Sequence, residues 1–203
     1  ERVMQWADQL RVWTDSSAIY AFPEPDALPY ERVPWARETI CDRLAALTAL
    51  VTWKETDGTE PPVVVASARA VMHKTLPLRE FRLGLREYRQ GQAIDLQRAL
   101  EVWGAHGYRP EVVVEEPGTF SRRGGLIDVF PPNRQDPVRL ELFGEEIDSL
   151  RLFDPISQRS RERVERFVMA PAGEALPRLA PAAAQQVAQV DLRLCHPPAK
   201  MEY

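Results

Sequence analysis

Val3, Trp6, Leu10 and Trp13 recur at the three-to-four-residue spacing of one helix face, which predicts an amphipathic helix over 1–13 whose aromatic stripe packs into a core. Ser17 to Phe22 reads as a short buried strand, halted by Pro23 and followed by a proline-punctuated loop as far as Pro34. Ile40, Leu44, Leu47 and Leu50 mark a second helix. After a turn at Thr56-Asp57-Gly58-Thr59, the unbroken apolar run from Pro62 to Ala66 suits a strand covered on both faces. Strand, helix and strand in this order imply a parallel α/β layer.

The pattern changes beyond Pro77. Arginines recur at Arg79, Arg82, Arg86 and Arg89, and Asp95 to Gly107 then reads as a helix with Leu96, Leu100 and Trp103 on one side and Gly107 as its stop. Three strand-like segments follow: 118–130, 138–143 and 147–153, the last two joined by the hairpin-length Gly144-Glu145-Glu146. A helix followed by an antiparallel meander is expected to form a separate α+β unit, with limits near 79 and 168. The remainder is rich in Ala and Pro, with a helix expected over 182–190. The front layer has too few strands to close by itself, and there is no initiator-like start, so the chain is expected to be a piece of a longer protein.

Composition narrows the function classes. With 44% hydrophobic and 28% charged residues over 203 positions, usage is that of a globular protein. No run approaches a membrane span or a signal peptide, so no membrane partner and a cytoplasmic location are expected. A net charge of −4 argues against bulk capture of nucleic acid. Cys41 and Cys195 stand far apart in no CxxC arrangement and read as ordinary reduced thiols. The chain has no phosphate-binding P-loop, no dinucleotide glycine pattern, no HExxH and no GxSxG. His106 reads as a stabiliser of a helix C-terminus, and the pairs Glu115-Glu116 and Glu145-Glu146 as solvated turn charges. No catalytic residue, metal site or cofactor is expected in this chain.

The most informative stretch is 115–160. Alternation over Val138-Arg139-Leu140-Glu141-Leu142-Phe143 puts Val138, Leu140 and Leu142 on a core face and Arg139, Glu141 and Phe143 on the other. An outward phenylalanine flanked by arginine suits a protein interface, although Arg139 and Glu141 as cross-strand partners, with Phe143 capping the hairpin, fit the same pattern. Gly124-Gly125 within the first strand predicts a bulge that turns Arg122 and Arg123 outward. Arg122, Arg123 and Arg139 would then form a recognition face for partner carboxylates, and a phosphate backbone would suit them too.

The runs PGTFSRRGGLIDVFPP and PVRLELFGEEIDSLRLFDPISQRS resemble the module shared by the nucleotide excision repair protein UvrB and the transcription-repair coupling factors. FPEPDALPYERV, ETICDRLAALTAL and FDPISQRS look closer to the coupling factors, and the resemblance spans roughly 20–170. It implies a degenerate RecA-like parallel α/β domain, in two parts over 1–78 and 169–203, carrying an inserted UvrA-binding α+β domain with an antiparallel sheet over 79–168. It further implies a non-catalytic adaptor that binds UvrA and recruits excision repair to RNA polymerase stalled at DNA damage. RNA polymerase and DNA would be engaged by other parts of the parent protein, an ATP-dependent DNA translocase with ATP and Mg in its motor domains. The family's interface positions fall here on Arg123, Arg139 and Phe143, with Arg122 and Glu141 as secondary candidates. The alternative is a fragment of a UvrB-type helicase subunit contacting DNA through the arginines of 79–98 and Arg122-Arg123.

Overall fold

The computed structural model describes residues 2–14, 16, 18–26, 35–53, 60–174 and 176. The turn expected at 56–59, the helix expected at 182–190 and Cys195 lie outside the described residues. The chain folds as a mixed α/β protein. Helix α1 (Arg2–Trp13) precedes strand β1 (Ile19–Phe22), helix α2 (Arg37–Trp53) and strand β2 (Val63–Ala66). β1 and β2 pair in parallel, with Ile19 opposite Val63 and Phe22 opposite Ala66, as the strand–helix–strand order implies. Helix α3 (Ala68–Met72) begins at Ser67, whose hydroxyl accepts from the Ala70 N–H, and helix α4 (Leu78–Gly84) starts directly after Pro77.

Two expectations for this front layer are corrected. Ala7 is the buried residue of α1, while Trp6, Leu10, Val12 and Trp13 are exposed. Periodicity fixes which residues share a face, and says nothing of whether another element covers it. β2 is expected to be covered on both faces, yet Val63 and Ala66, at its two ends, are exposed and Val64 and Val65 are half-buried, because no described element packs fully across both faces there.

Strand β3 (Arg86–Arg89) pairs antiparallel with β10 (Arg166–Met169), so the chain enters and leaves the next unit side by side. Between them, helix α5 (Leu96–Ala105) is capped by Asp95, whose carboxylate accepts from the Arg98 N–H at 3.1 Å, and it stops at Gly107, which takes φ +90°. A six-stranded sheet follows in chain order: β4 (Arg109–Pro110), β5 (Thr119–Arg123), β6 (Leu126–Phe130), β7 (Val138–Phe143), β8 (Glu146–Phe153) and β9 (Ser160–Arg163). All neighbours are antiparallel except β4 and β5. The expected strand 118–130 is therefore two strands. Gly124-Gly125 is the turn between them, not a bulge, with Gly124 at φ +64° and Arg123 opposite Leu126. Gly144 repeats that geometry between Phe143 and Glu146, each glycine taking the first turn position where positive φ is needed.

One face of this sheet is the main core. Phe120, Ile127, Val129, Val138, Leu140, Ile147 and Leu150 pack there against Trp103 of α5, with Tyr88 and Phe167 closing the side. Beyond β10 the chain runs back against α2, where Ala170 and Leu176 join Leu44, Val51, Leu76 and Phe81. Arg43 seals this return. Its guanidinium donates to both Glu174 oxygens, at 2.5 and 3.0 Å, and to the Pro23 carbonyl at 2.8 Å.

Candidate protein-docking surface

The opposite face of the sheet follows from register. Arg123 faces Leu126, Leu126 faces Glu141, Asp128 faces Arg139, and Arg139 faces Arg151, so all six side chains emerge on the side away from Trp103. Burial along β7 alternates as expected: Val138 and Leu140 are buried, Leu142 packs on the core, and Phe143 is 84% exposed. The far half of the face is closed, since Phe130 and Phe153 pack under Val114 and the Gln158 amide donates to the Val114 carbonyl at 3.1 Å. The half beside the two glycine turns is open.

Asp128 organises the open half. Its carboxylate is buried, and it accepts from Arg139 Nε at 2.7 Å, from Arg139 Nη2 at 3.0 Å and from Arg123 Nη2 at 2.7 Å. Arg139 also donates through Nη1 to the Gln158 carbonyl and the Ser160 hydroxyl, both at 3.2 Å, and its guanidinium lies 4.7 Å from the centre of the Phe153 ring. The hydrogen bonds to Asp128 raise the Arg139 pKa above its ordinary value. Arg139 is thus on the expected face, but only 12% of its side chain reaches solvent, against 52% for Arg123.

The remaining candidates separate. Arg122 is exposed but sits opposite Ile127, on the core side of the strand, so the two adjacent arginines point to different faces. Glu141 accepts from the Ser149 hydroxyl at 2.6 Å and lies 3.8 Å from Arg151 Nε, the cross-strand pairing that its position allows. Sequence reasoning missed Asp128, Leu126 and Arg151. Asp128 carried a signal, a lone acid inside the apolar run Leu126-Ile127-Asp128-Val129-Phe130, readable once the turn at Gly124-Gly125 is placed.

The turn that closes the far half has its own pH dependence. Asp154 accepts from the backbone N–H groups of Ser157, at 2.7 Å, and Ile156, at 3.0 Å, and pairs with Arg161. The Ser157 backbone bond leads in holding its pKa below the ordinary 3.8, so its stabilising contribution is present above that pH and lost as pH falls through the lower folded value. The melting-temperature difference between the natural chain and Asp154→Asn is expected to close as pH drops below 3.8, measured by circular dichroism.

Other chemistry is sparse among the described residues. Burial, then Asp42, pushes the Cys41 thiol up to about 11, which leaves it protonated and unreactive at neutral pH. His106 ends α5 with its Nδ1 2.7 Å from the Val102 carbonyl. A cavity of about 720 Å³ lies at the carboxyl ends of β1 and β2, lined by Glu24, Asp26, Glu38 and Asp42 against Arg2 and Arg69, a charge balance ill suited to a nucleotide polyphosphate. No described helix is long and apolar enough to cross a membrane.

Residues 87–174 match the family model of the UvrB interaction domain. The chain carries a UvrB interaction domain of the transcription-repair-coupling-factor type. It is 38% identical over 158 residues to the transcription-repair-coupling factor of Myxococcus xanthus, covering 78% of this chain and 13% of that protein. The factor of Staphylococcus aureus strain USA300 is 32% identical over 151 residues, 74% of this chain and 12% of its own length. That of Staphylococcus haemolyticus is 32% identical over 162 residues, 80% and 13%. The chain thus spans about 13% of the length of such relatives. The UvrB interaction domain opens in β3, contains the whole face built around Asp128, and ends at Glu174, the partner of Arg43.

Proposed function

We propose that this chain is a non-catalytic docking module that binds UvrA and thereby brings excision repair to RNA polymerase stalled at DNA damage. The carrying observation is Phe143, 84% exposed at the tip of the β7–β8 hairpin and on the same face as the half-exposed Arg123, inside the matched domain. A large aromatic held out on a hairpin beside an arginine belongs to the residue set enriched at protein interfaces. We place the docking domain at 79–168, between the two parts, 1–78 and 169–203, of a degenerate RecA-like domain. Arg123 and Phe143 would meet the partner directly, Arg139 would hold its place beneath them, and Glu141 and Arg122 would stand at the margin. RNA polymerase, DNA, ATP and Mg belong on this reading to the motor and binding regions of a cytoplasmic parent translocase.

The test is a calorimetric titration of UvrA from the same source into this chain and into Phe143→Ala, with duplex DNA titrated in parallel. Phe143→Ala is expected to weaken UvrA binding by about 2 kcal/mol or more, roughly thirtyfold, as removal of a central aromatic does. It should change folding stability by less than about 0.5 kcal/mol, because so exposed a ring supports no core. Salt-sensitive DNA binding without UvrA binding would sink the proposal and favour the helicase-fragment alternative.

A further inference from the structure

Two arginines share the buried carboxylate of Asp128 unequally. Arg139 grips both oxygens, and its Nη1 is spent on the Gln158 carbonyl and the Ser160 hydroxyl, so one of its N–H groups is left over. The Phe153 ring 4.7 Å from the guanidinium holds its plane. Arg123 reaches the same acid through a single bond, Nη2 to Oδ2 at 2.7 Å, with its side chain 52% exposed. Losing that bond leaves Asp128 still gripped on both oxygens by Arg139. Arg139 is therefore a fixed cation, and Arg123 a parked one.

We infer that Asp128 is the positioning residue of the docking surface, locking Arg139 in place and holding Arg123 ready to transfer to a carboxylate of the partner as the complex forms. The charge count agrees. Arg123 and Arg139 against Asp128 leave one positive charge, Arg151 beside Glu141 cancels, and a single partner Asp or Glu completes the balance next to an apolar recess for Phe143. The register explains why the acid must stand here: Asp128 faces Arg139 on one neighbouring strand and Ser121 on the other, and no other acidic side chain bonds either arginine among the described residues.

The inference rests on the UvrA-docking reading, and calorimetry with UvrA separates the two. Arg139→Lys keeps the positive charge but cannot form the two-pronged grip, and Asp128→Asn turns an acceptor oxygen into a donor against two guanidinium groups. Each is expected to weaken UvrA binding about tenfold or more. Because Asp128 acts through Arg123 and Arg139, adding Asp128→Asn to a chain that already carries Arg123→Ala and Arg139→Ala should cost at most about twofold beyond that pair alone, whereas a merely structural role would compound the losses. Melting curves confirm that each variant is folded at the titration temperature, and Arg139→Lys carries the test if Asp128→Asn is not. Arg139→Lys binding within about twofold of the natural chain, or multiplying losses in the triple variant, overturns the role of Asp128 and leaves UvrA docking standing. A natural chain that does not bind UvrA overturns both.

Discussion

Replacing Arg43 with alanine is expected to cost about 3–5 kcal/mol of folding stability, read as a lowered urea midpoint, because it leaves the Glu174 carboxylate buried without its partner. The Arg43 side chain is fully buried and that of Glu174 nearly so, and the guanidinium also lies 3.9 Å from the centre of the Phe22 ring. One residue thus ties α2, the end of β1 and the returning segment after β10. The Glu174 side chain is only 4% exposed, so the stranded acid would be poorly solvated, and α2 cannot move aside without opening the cluster of Leu44, Val51, Phe81 and Ala170. Glu174→Gln is expected to cost less, since the amide still accepts one of the two bonds. Removing both partners, as Arg43→Met with Glu174→Leu, should recover much of the loss, since a buried ion pair replaced by apolar groups of similar volume is often neutral. An equal loss in the double and single variants would show that the bond to the Pro23 carbonyl and the contact with Phe22 carry the effect instead.

The parts of the fold that depend on local pattern were legible in the sequence. α5 was bounded by its apolar stripe from Asp95 onward and by a stopping glycine, and β7 declared its two faces by alternation, because these signals act within one element. What failed depended on contacts between elements. The stripe on α1 promised a buried face, and nothing in the stripe itself tells whether a neighbour is there to cover it. In the sequence Gly124-Gly125 reads as a bulge because strand-favouring residues continue on both sides. That slip hid Asp128: on one long strand Arg123 and Asp128 fall on opposite faces, whereas the two-residue turn sets Asp128 opposite Ser121, on the face of Arg123, and the pairing of β6 with β7 brings Arg139 opposite it. The same slip grouped Arg122 with Arg123, although adjacent residues of a strand must face opposite ways. Arg139 was read as a donor to a partner, and the geometry shows how little of it is free for one.

Replacing Trp103 with alanine is the other large effect expected, about 3–5 kcal/mol from the cavity left by the indole. Trp103 is 1% exposed and meets Tyr88 and Phe120 edge-on, with ring centres 5.9 and 5.6 Å away. Its Nε1 donates to the Tyr88 hydroxyl at 2.7 Å, so the variant also strips a buried hydroxyl of its donor. Trp103→Phe should recover most of the volume but not that hydrogen bond, and is expected to fall between the two in thermal melts. Trp103 supports the sheet from the face opposite Arg123, Asp128 and Arg139. At a temperature where Trp103→Ala remains folded, its UvrA affinity should therefore stay within a few-fold of the natural chain, while Phe143→Ala loses affinity and keeps its melting temperature. If Trp103→Ala instead lost binding while fully folded, the strands would be transmitting core packing to the docking side, and the positions of Asp128 and its two arginines would depend on α5 as much as on their own hydrogen bonds.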